Sequence, residues 1–392
     1  MKVKARPEDF VVQEVSDAAI RDVPAEFRIY RLRKRSWDTF DLVDLLRRRL
    51  NLGPSDISYG GIKDRHGETE QILSLRNLPR LPARIEEKNF SLQAVGYADR
   101  PVTARGIRGN RFRLVLRDIR AEEVPAMQAR LDQIGRFGVP NYYDEQRFGS
   151  ARHGQGFMGR EVLLGNRERA MRLFFEPSRF DPPRERKLKR SIVDHWGRWE
   201  QLRPDAFGVY RRVLDLLCED GFAHSYTRAL GVIEKSHLLL VINAYQSYLF
   251  NEVLRRWLAG LAERHGLALW SSRYQAGEFL FYGALPADLA ADMGRTELPV
   301  PAYDTRVADP AIGAILAEVL AAEQIRQEQL RVRKIPGLSI HATYRRAVLM
   351  PEDLVVREAE EDDLYPGRLK LGLDFFLPRG GYATLILKRV AG

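Results

Sequence analysis

The chain has 392 residues, enough for two or three domains, and it is 45% apolar and 30% charged, as expected of a soluble protein. No apolar run approaches the roughly 20 residues that cross a bilayer, and Met1–Phe10 lacks the apolar stretch of a secretion signal, so a cytoplasmic protein is expected. A formal charge of +10 points to a polyanionic partner such as nucleic acid, while a single Cys218 excludes an intrachain disulfide.

In chain order, Phe10–Val15 is strand-like, and Phe27, Ile29 and Arg31 alternate against Arg28, Tyr30 and Leu32 as in a second strand with basic residues at its exposed end. A helix follows, capped by Asp38 or Thr39, with Phe40, Val43, Leu46 and Leu50 on one face and Gly53-Pro54 as its stop. The loop Tyr59–Gly67 is rich in turn residues and leads into a strand at Gln71–Leu75. In Arg111–Arg117, Phe112, Leu114 and Leu116 form an apolar face, with Arg111, Arg113 and Arg117 opposite. Glu122–Phe137 reads as a helix, broken by Gly138-Val139-Pro140 ahead of the loop Asn141–Gly149. Helical patterns then dominate: Glu161–Phe175, Tyr210–Asp220, Ala223–Lys235, a long helix from about His237 to Arg264, and Pro310 to Arg333. On the long helix Leu240, Ala244, Ser247, Phe250 and Leu254 share a face. From Pro336-Gly337 the pattern returns to strands, the last ending in Phe375–Leu387. A β-rich start and end around a helical middle predict an insertion: one discontinuous domain at 1–153 and 335–392, and an inserted helical domain at 154–334.

Charge is clustered. Arg31, Arg33, Lys34 and Arg35 form one basic group, and Arg184, Arg186, Lys187, Lys189 and Arg190 another; solvated surface is the plain reading of either, nucleic-acid contact the reading of the two together. The acidic run Glu358–Asp363 reads as a solvated loop. The seven histidines, His224 among them, form no His-x-x-x-His pair, so no metal is expected.

Three segments carry chemistry. Glycines at 60, 61 and 67 let the loop around Asp64 turn sharply, and Lys63 and Arg65 beside it favour an ionised carboxylate able to act as nucleophile or base. A turn residue paired to its neighbours is the simpler account of that loop taken alone. Asn141–Gly149 joins two tyrosines, Arg147 and Phe148 to the amides of Asn141 and Gln146, a set that can stack an unstacked base and read its edge, or else cover the underside of a sheet. Asn243 and Gln246 lie on one face of the long helix and can bond each other or an RNA; core packing is the alternative there.

Taken together these segments resemble one family. Gly61-Ile62-Lys63-Asp64-Arg65-His66 with Thr69 and Gln71 resembles the signature Gly-x-Lys-Asp-Arg/Lys-x-Ala-x-Thr-x-Gln of the TruD family of pseudouridine synthases. Asn141-Tyr142-Tyr143 through Gln146-Arg147-Phe148-Gly149 resembles its Asn-Tyr-Phe-Gly-x-Gln-Arg-Phe-Gly, and Lys4 ahead of Pro7-Glu8-Asp9-Phe10 its N-terminal element. Arg108–Phe112, Asn243–Ser247 and Leu377–Thr384 match three further elements, so that six occur in family order across nearly the whole chain.

The resemblance implies an α+β pseudouridine synthase fold on a mixed, largely antiparallel sheet, with an inserted, mainly helical TRUD domain and RNA bound in the cleft between. It implies a cofactor-free isomerase that breaks the N-glycosidic bond of a uridine, rotates the uracil and bonds C5 to C1′, acting on tRNA, with uridine 13 as the family's position. Asp64 is then the essential carboxylate, Lys4 its neighbour, and Asn141 and Tyr143 line the uridine pocket. Arg65, His66, Gln71, Arg147, Phe148, Asn243 and Gln246 are further candidates for substrate binding. A monomer without an obligate protein partner is expected, and an RNA chaperone of the same fold is the alternative function. Three departures stand out: Tyr143 replaces the usual Phe, Asp144 the usual Gly, and Gly67-Glu68 the usual Ala-Val. The second questions the loop's backbone and adds negative charge near the RNA.

Overall fold

The computed structural model describes residues 1–151, 153–219, 225–332, 335 and 337–392. The start expected for a helix at Ala223, the helix ends expected at Asp220 and Arg333, His224 and Pro336 lie outside them. The chain divides into two units, Met1–Val139 with Leu349–Ala391, and Pro140–Val348 with Gly392.

The first unit begins with β1 (Phe10–Ser16), β2 (Phe27–Arg35), α1 (Thr39–Arg49), β3 (Ile57–Tyr59), β4 (Glu68–Arg76), β5 (Arg84–Glu87), β6 (Phe90–Ala98), β7 (Ile107–Ile119) and α2 (Val124–Phe137), and β8 (Val139–Pro140) follows. The second unit carries α3 (Met158–Leu164), α4 (Arg167–Phe175), α5 (Pro183–Asp194), α6 (Trp199–Leu202), α7 (Gly208–Glu219), α8 (Ser225–Gly231) and α9 (Lys235–His265). It continues through β9 (Leu269–Tyr274), β10 (Gly277–Tyr282), α10 (Ala287–Arg295), β11 (Glu297–Val300), α11 (Pro310–Ala322) and β12 (Thr343–Arg346). After β13 (Val348–Leu349) the chain adds β14 (Glu352–Val356), β15 (Glu360–Glu361), β16 (Leu369–Pro378) and α12 (Ala383–Ala391) to the first unit.

That unit is built on one mixed sheet of order β14-β16-β7-β1-β4-β2-β6-β5, with β15 beside β16 and β3 beside β4. Among the described residues of this sheet only β1 and β4 run parallel, and the other strand pairs are antiparallel. The fold is therefore α+β. Asp38 caps α1 by accepting from the amides of Phe40 and Asp41 at 2.8 and 3.4 Å. Its buried face is Thr39, Leu42, Val43 and Leu46, which pack on Tyr30, Leu32, Leu73 and Leu75 of the sheet. Phe40, expected on that face, is exposed: burial at 39, 42, 43 and 46 follows the 3.6-residue repeat and turns position 40 to solvent.

In the second unit α9 runs 31 residues and ends at Gly266 in the left-handed region (φ 62°). It is buried on several sides, by α3, α11 and the β9–β10 hairpin, although Leu240 is exposed.

Several readings need correction. The helix expected at Glu161–Phe175 is two helices, α3 and α4, divided where Gly165 takes φ 82°. The basic cluster at 184–190 forms α5, anchored by buried Leu188 and Ile192, with Lys189 turned inward to Asp181 and Glu185 at 3.1 Å. The residues after Tyr382 form helix α12 instead of a strand; Arg389 on it is buried and donates to Gln133 of α2 at 2.8 Å. Nor is the acidic run uniformly solvated. Asp362 is buried and accepts from Arg117 at 2.7 Å, and Arg117, expected on the exposed face of β7, also bonds Asp9 at 2.9 Å.

Candidate active site

In the first unit Asp64 lies on the loop between β3 and β4. Glycines frame this loop: a Cβ at Gly60 would crowd the Ile107 side chain, and one at Gly67 would meet the main chain itself, the Phe10 carbonyl oxygen at 2.5 Å. Between them the main chain is tied from beneath. Lys34 Nζ donates to the carbonyl oxygens of Trp37 and Asp64 at 2.8 Å each and of Lys63 at 3.3 Å. The Thr39 hydroxyl donates to the Lys63 carbonyl at 3.3 Å and accepts from the Lys63 amide at 3.1 Å. Gln71 Nε2 holds the Gly61 carbonyl at 3.3 Å.

Side chains alternate along the loop. Lys63 turns inward and pairs with Glu14, whose carboxylate also accepts from the Ile72 amide at 3.3 Å. Asp64 turns outward, partly exposed, and the cation it meets is Lys4, with Nζ 3.3 Å from Oδ1. The flanking Lys63, expected to serve Asp64, is thus committed elsewhere, and Arg65 and His66 are exposed. Lys4 Nζ also lies 3.8 Å from the centre of the Phe10 ring. Its backbone takes φ 58°, a conformation costing a non-glycine residue about 1–3 kcal/mol and found disproportionately at functional sites. The bond from the Lys2 amide to the Arg117 carbonyl, 2.7 Å, fixes the segment that delivers it.

Lys34 was absent from the sequence candidates, read there as part of a basic surface group. It is 3% exposed. Burial pulls its ammonium down to about 8 from an ordinary 10.5; Asp38 and Asp64 work against that shift and Lys63 with it. The rest of that group is surface, but paired: Arg31 and Arg33 meet Glu70 at 3.5 and 2.7 Å, and Arg35 meets Glu8.

In the second unit Asn141 is buried and its carboxamide is engaged, Nδ2 donating to the Arg346 carbonyl at 2.9 Å and Oδ1 accepting from Arg345 at 2.5 Å. Arg345 Nε also donates to the Asn141 carbonyl at 2.8 Å, and its guanidinium carbon lies 4.4 Å from the Tyr143 ring centre. Asn251 of α9 brackets Tyr143 from the main chain, accepting from its amide and donating to its carbonyl, both at 2.8 Å. Phe250 packs edge-on to the Tyr143 ring at 5.5 Å. Tyr143, half-buried, borders a pocket of about 310 Å³ with Arg147, Asn243, Gln246, Ser247 and His341. Arg147 is held there by the Ser247 hydroxyl at 3.0 Å.

The structure thus brings Lys4 and Asp64 together in one unit, and Tyr143, Arg147, Asn243 and Gln246 in the other. Three substrate-binding expectations change. Phe148 is fully buried against Tyr274 and Phe157, so no base can reach it. Gln71 is 1% exposed and serves the loop's backbone. Gln246 borders the pocket, but its amide is spent on the Pro301 carbonyl at 2.9 Å and does not reach Asn243. Asp144 is buried, so its carboxylate does not face solvent, and its backbone is not among the positive-φ residues, so no glycine is required there. Arg345 and Asn251 are the anchors that sequence reasoning missed; neither lies in a recognised motif, and only contacts across more than 100 residues reveal them. Among the described residues no group of three or more His, Cys, Asp or Glu side chains could hold a metal ion, and no helix is long and apolar enough to cross a membrane.

Comparison with known proteins agrees with this arrangement. The family described as tRNA pseudouridine synthase D (TruD) matches residues 1–390. A Methanococcus maripaludis protein named "Probable tRNA pseudouridine synthase D 1" is 29% identical over 398 residues, covering 100% of this chain and 99% of the relative. The Aquifex aeolicus tRNA pseudouridine synthase D is 25% identical over 395 residues, covering 100% and 98%. A crystal structure assigned to TruD of Methanosarcina mazei superposes with a TM-score of 0.71 at 27% identity, over 99% of this chain and 93% of that one. A match along essentially the whole length, in sequence and in fold, leaves one conclusion: this chain belongs to the TruD family of tRNA pseudouridine synthases.

Proposed function

We propose that the chain isomerises uridine to pseudouridine in tRNA, at position 13, with Asp64 as its catalytic carboxylate. The observation that carries the reading is the Lys4–Asp64 pair: a partly exposed carboxylate on a glycine-framed loop, 3.3 Å from an ammonium. A carboxylate so placed can attack C1′ or the uracil ring, or take the 2′ proton, while the ammonium beside it balances charge as the glycosidic bond breaks. The uracil detaches, rotates and rebonds through C5, which gives up its hydrogen. No external reductant or energy source enters that balance, in keeping with a cofactor-free reaction.

The target base must leave its stack to react. Tyr143 holds it by stacking, Asn141 anchors the loop that presents Tyr143, and Arg147 and Asn243 contact neighbouring nucleotides. In this reading residues 1–153 and 335–392 form the catalytic domain and 154–334 the inserted TRUD domain, and the protein works as a cytoplasmic monomer on RNA. Tritium release from tRNA transcripts labelled at uridine C5, followed by mapping of the modified position, tests the proposal. Release by the wild type and none by Asp64→Asn, with tRNA affinity retained, is expected. Tight binding without release by the wild type would favour an RNA chaperone, and product at another uridine would overturn the assignment of position 13.

A further inference from the structure

We propose that Lys34 is a positioning residue for the reaction: its buried ammonium, spent on the carbonyls of Trp37, Lys63 and Asp64, fixes the main chain from which the catalytic carboxylate projects. The inference rests on Asp64 being the catalytic group. An ammonium has three N–H donors and no acceptor, and here the three donors meet three main-chain carbonyls. Taking such a group out of water is costly unless every donor is satisfied. An apolar side chain would fill the same space at the α1–sheet interface without that cost, but it would take the Lys34 donor from the Asp64 carbonyl and leave the Lys63 carbonyl to the Thr39 hydroxyl alone. The cation compels those carbonyls to face inward, and with the Asp64 carbonyl inward its side chain leaves on the other side, toward Lys4.

The surroundings reinforce this. The turn after β2, with Ser36 at φ 55°, runs beside the catalytic loop, and the Ser36 amide donates to the Gly67 carbonyl at 3.3 Å. Thr39, three residues on, holds both main-chain polar groups of Lys63. Residues 34 to 39 therefore form a cradle for residues 63 to 67. Asp38 and Asp64 are the anions that favour the buried cation, and Lys63, which opposes it, is neutralised by Glu14. Two lysines hold one aspartate in different ways. Lys4 meets the carboxylate and belongs to the reacting centre, whereas Lys34, its donors spent on carbonyls, acts through the backbone.

The experiment compares full-length Lys34→Met and Thr39→Val with the wild type, with Asp64→Asn as reference. It reads single-turnover tritium release at saturating tRNA transcript, and tRNA Kd by filter binding. Because a displacement near 1 Å at a reacting group costs on the order of a hundredfold, Lys34→Met should lose about that factor in turnover rate while Kd moves by less than about threefold. Thr39→Val, which removes only the companion bonds to Lys63, should show the same split with a loss of about tenfold. A folded Lys34→Met that turns over within about threefold of wild type would overturn the proposal. Should that variant fail to fold, Thr39→Val decides: wild-type turnover, or rate and affinity falling together, would refute the cradle. Release by Asp64→Asn would instead sink the assignment of Asp64, whatever the Lys34 variant does.

Discussion

Substituting lysine for Arg345 separates the fork of a guanidinium from its charge. The native side chain donates to the Asn141 carbonyl at 2.8 Å, to Asn141 Oδ1 at 2.5 Å and to the Tyr142 carbonyl at 3.3 Å, with its plane near the Tyr143 ring. A lysine ammonium has three donors but they leave a single atom, so it cannot reproduce the planar fork by which separate nitrogens, Nε and Nη2, reach the Asn141 carbonyl and Oδ1. Bonds from a charged donor contribute about 1.5–3 kcal/mol each. Arg345 is half-buried, so solvent screening reduces the loss, and about 2 kcal/mol in total is expected. For a unit of this size that lowers the melting temperature by about 4–8 °C. Since the loop presents Tyr143, kcat/KM on tRNA should fall by about 10–100-fold, with Arg345→Ala worse because two Asn141 oxygens then lose their donor. Thermal melts and tritium release on the two variants are the assays. Arg345→Lys with wild-type melting and wild-type kcat/KM would show that the loop keeps its geometry without the fork.

Four further outcomes are expected. Arg117→Met leaves Asp9 and Asp362 buried without their cation, at a cost of about 3–5 kcal/mol; a denaturant midpoint equal to wild type would refute it. At Asp362 burial raises the carboxyl pKa, but the Asp118 and Leu364 amides and Arg117 outweigh it, so the group titrates below its ordinary 3.8. A carboxyl depressed in the folded state stabilises the fold above its unfolded pKa and loses that contribution as pH falls through the folded one. The wild type should therefore lose stability below about pH 4 more steeply than Arg117→Met, and melts across that range giving equal slopes would contradict this. Gly67→Ala should force the catalytic loop off β1, since its Cβ meets the Phe10 oxygen at 2.5 Å; overpacking of this kind costs about 1–3 kcal/mol, and unchanged activity would show that the loop can shift freely. Tyr143→Ala should weaken base capture by about 1–3 kcal/mol and Tyr143→Phe little; equal losses would assign the role to the hydroxyl.

What the sequence disclosed follows from burial on one side. In β7 the alternation of Phe112, Leu114 and Leu116 was plain because one face is covered. The Asp64 loop was visible through its glycines and its neighbours in a signature. Asn251 and Arg345 carry no such mark: a polar side chain at the right distance from a loop 100 or 200 residues away has no periodicity to betray it. Helix α12 was hidden by composition, its Leu, Ile and Val content suiting a strand until packing on α2 decides the matter.

The two buried cations that escaped notice, Lys34 and Arg117, were hidden in different ways. Along β2 the buried positions are Phe27 and Ile29, then Tyr30, Leu32 and Lys34. The pairing with β6 slips between Ile29 and Tyr30, but the extra residue is Val95 of β6, and β2 pairs with β4 without a break, so Phe27 and Ile29 stay on one face and Tyr30, Leu32 and Lys34 on the other. Lys34 follows Tyr30 and Leu32 on a face covered by α1, but its charge among Arg31, Arg33 and Arg35 makes the end of the strand look like surface throughout. In β7 the pairing with β16 slips between Leu369 and Leu371, opposite the stretch from Leu116 to Ile119, and Asp118 takes φ 55°. There Arg117, continuing the exposed row of Arg111 and Arg113, is buried among Asp9 and Asp362. Bulges leave little trace in a hydrophobicity pattern because they alter only which side chains share a face. In β2, by contrast, strict alternation itself carries the ammonium of Lys34 to the underside of the catalytic loop, where it donates to the carbonyls of Lys63 and Asp64.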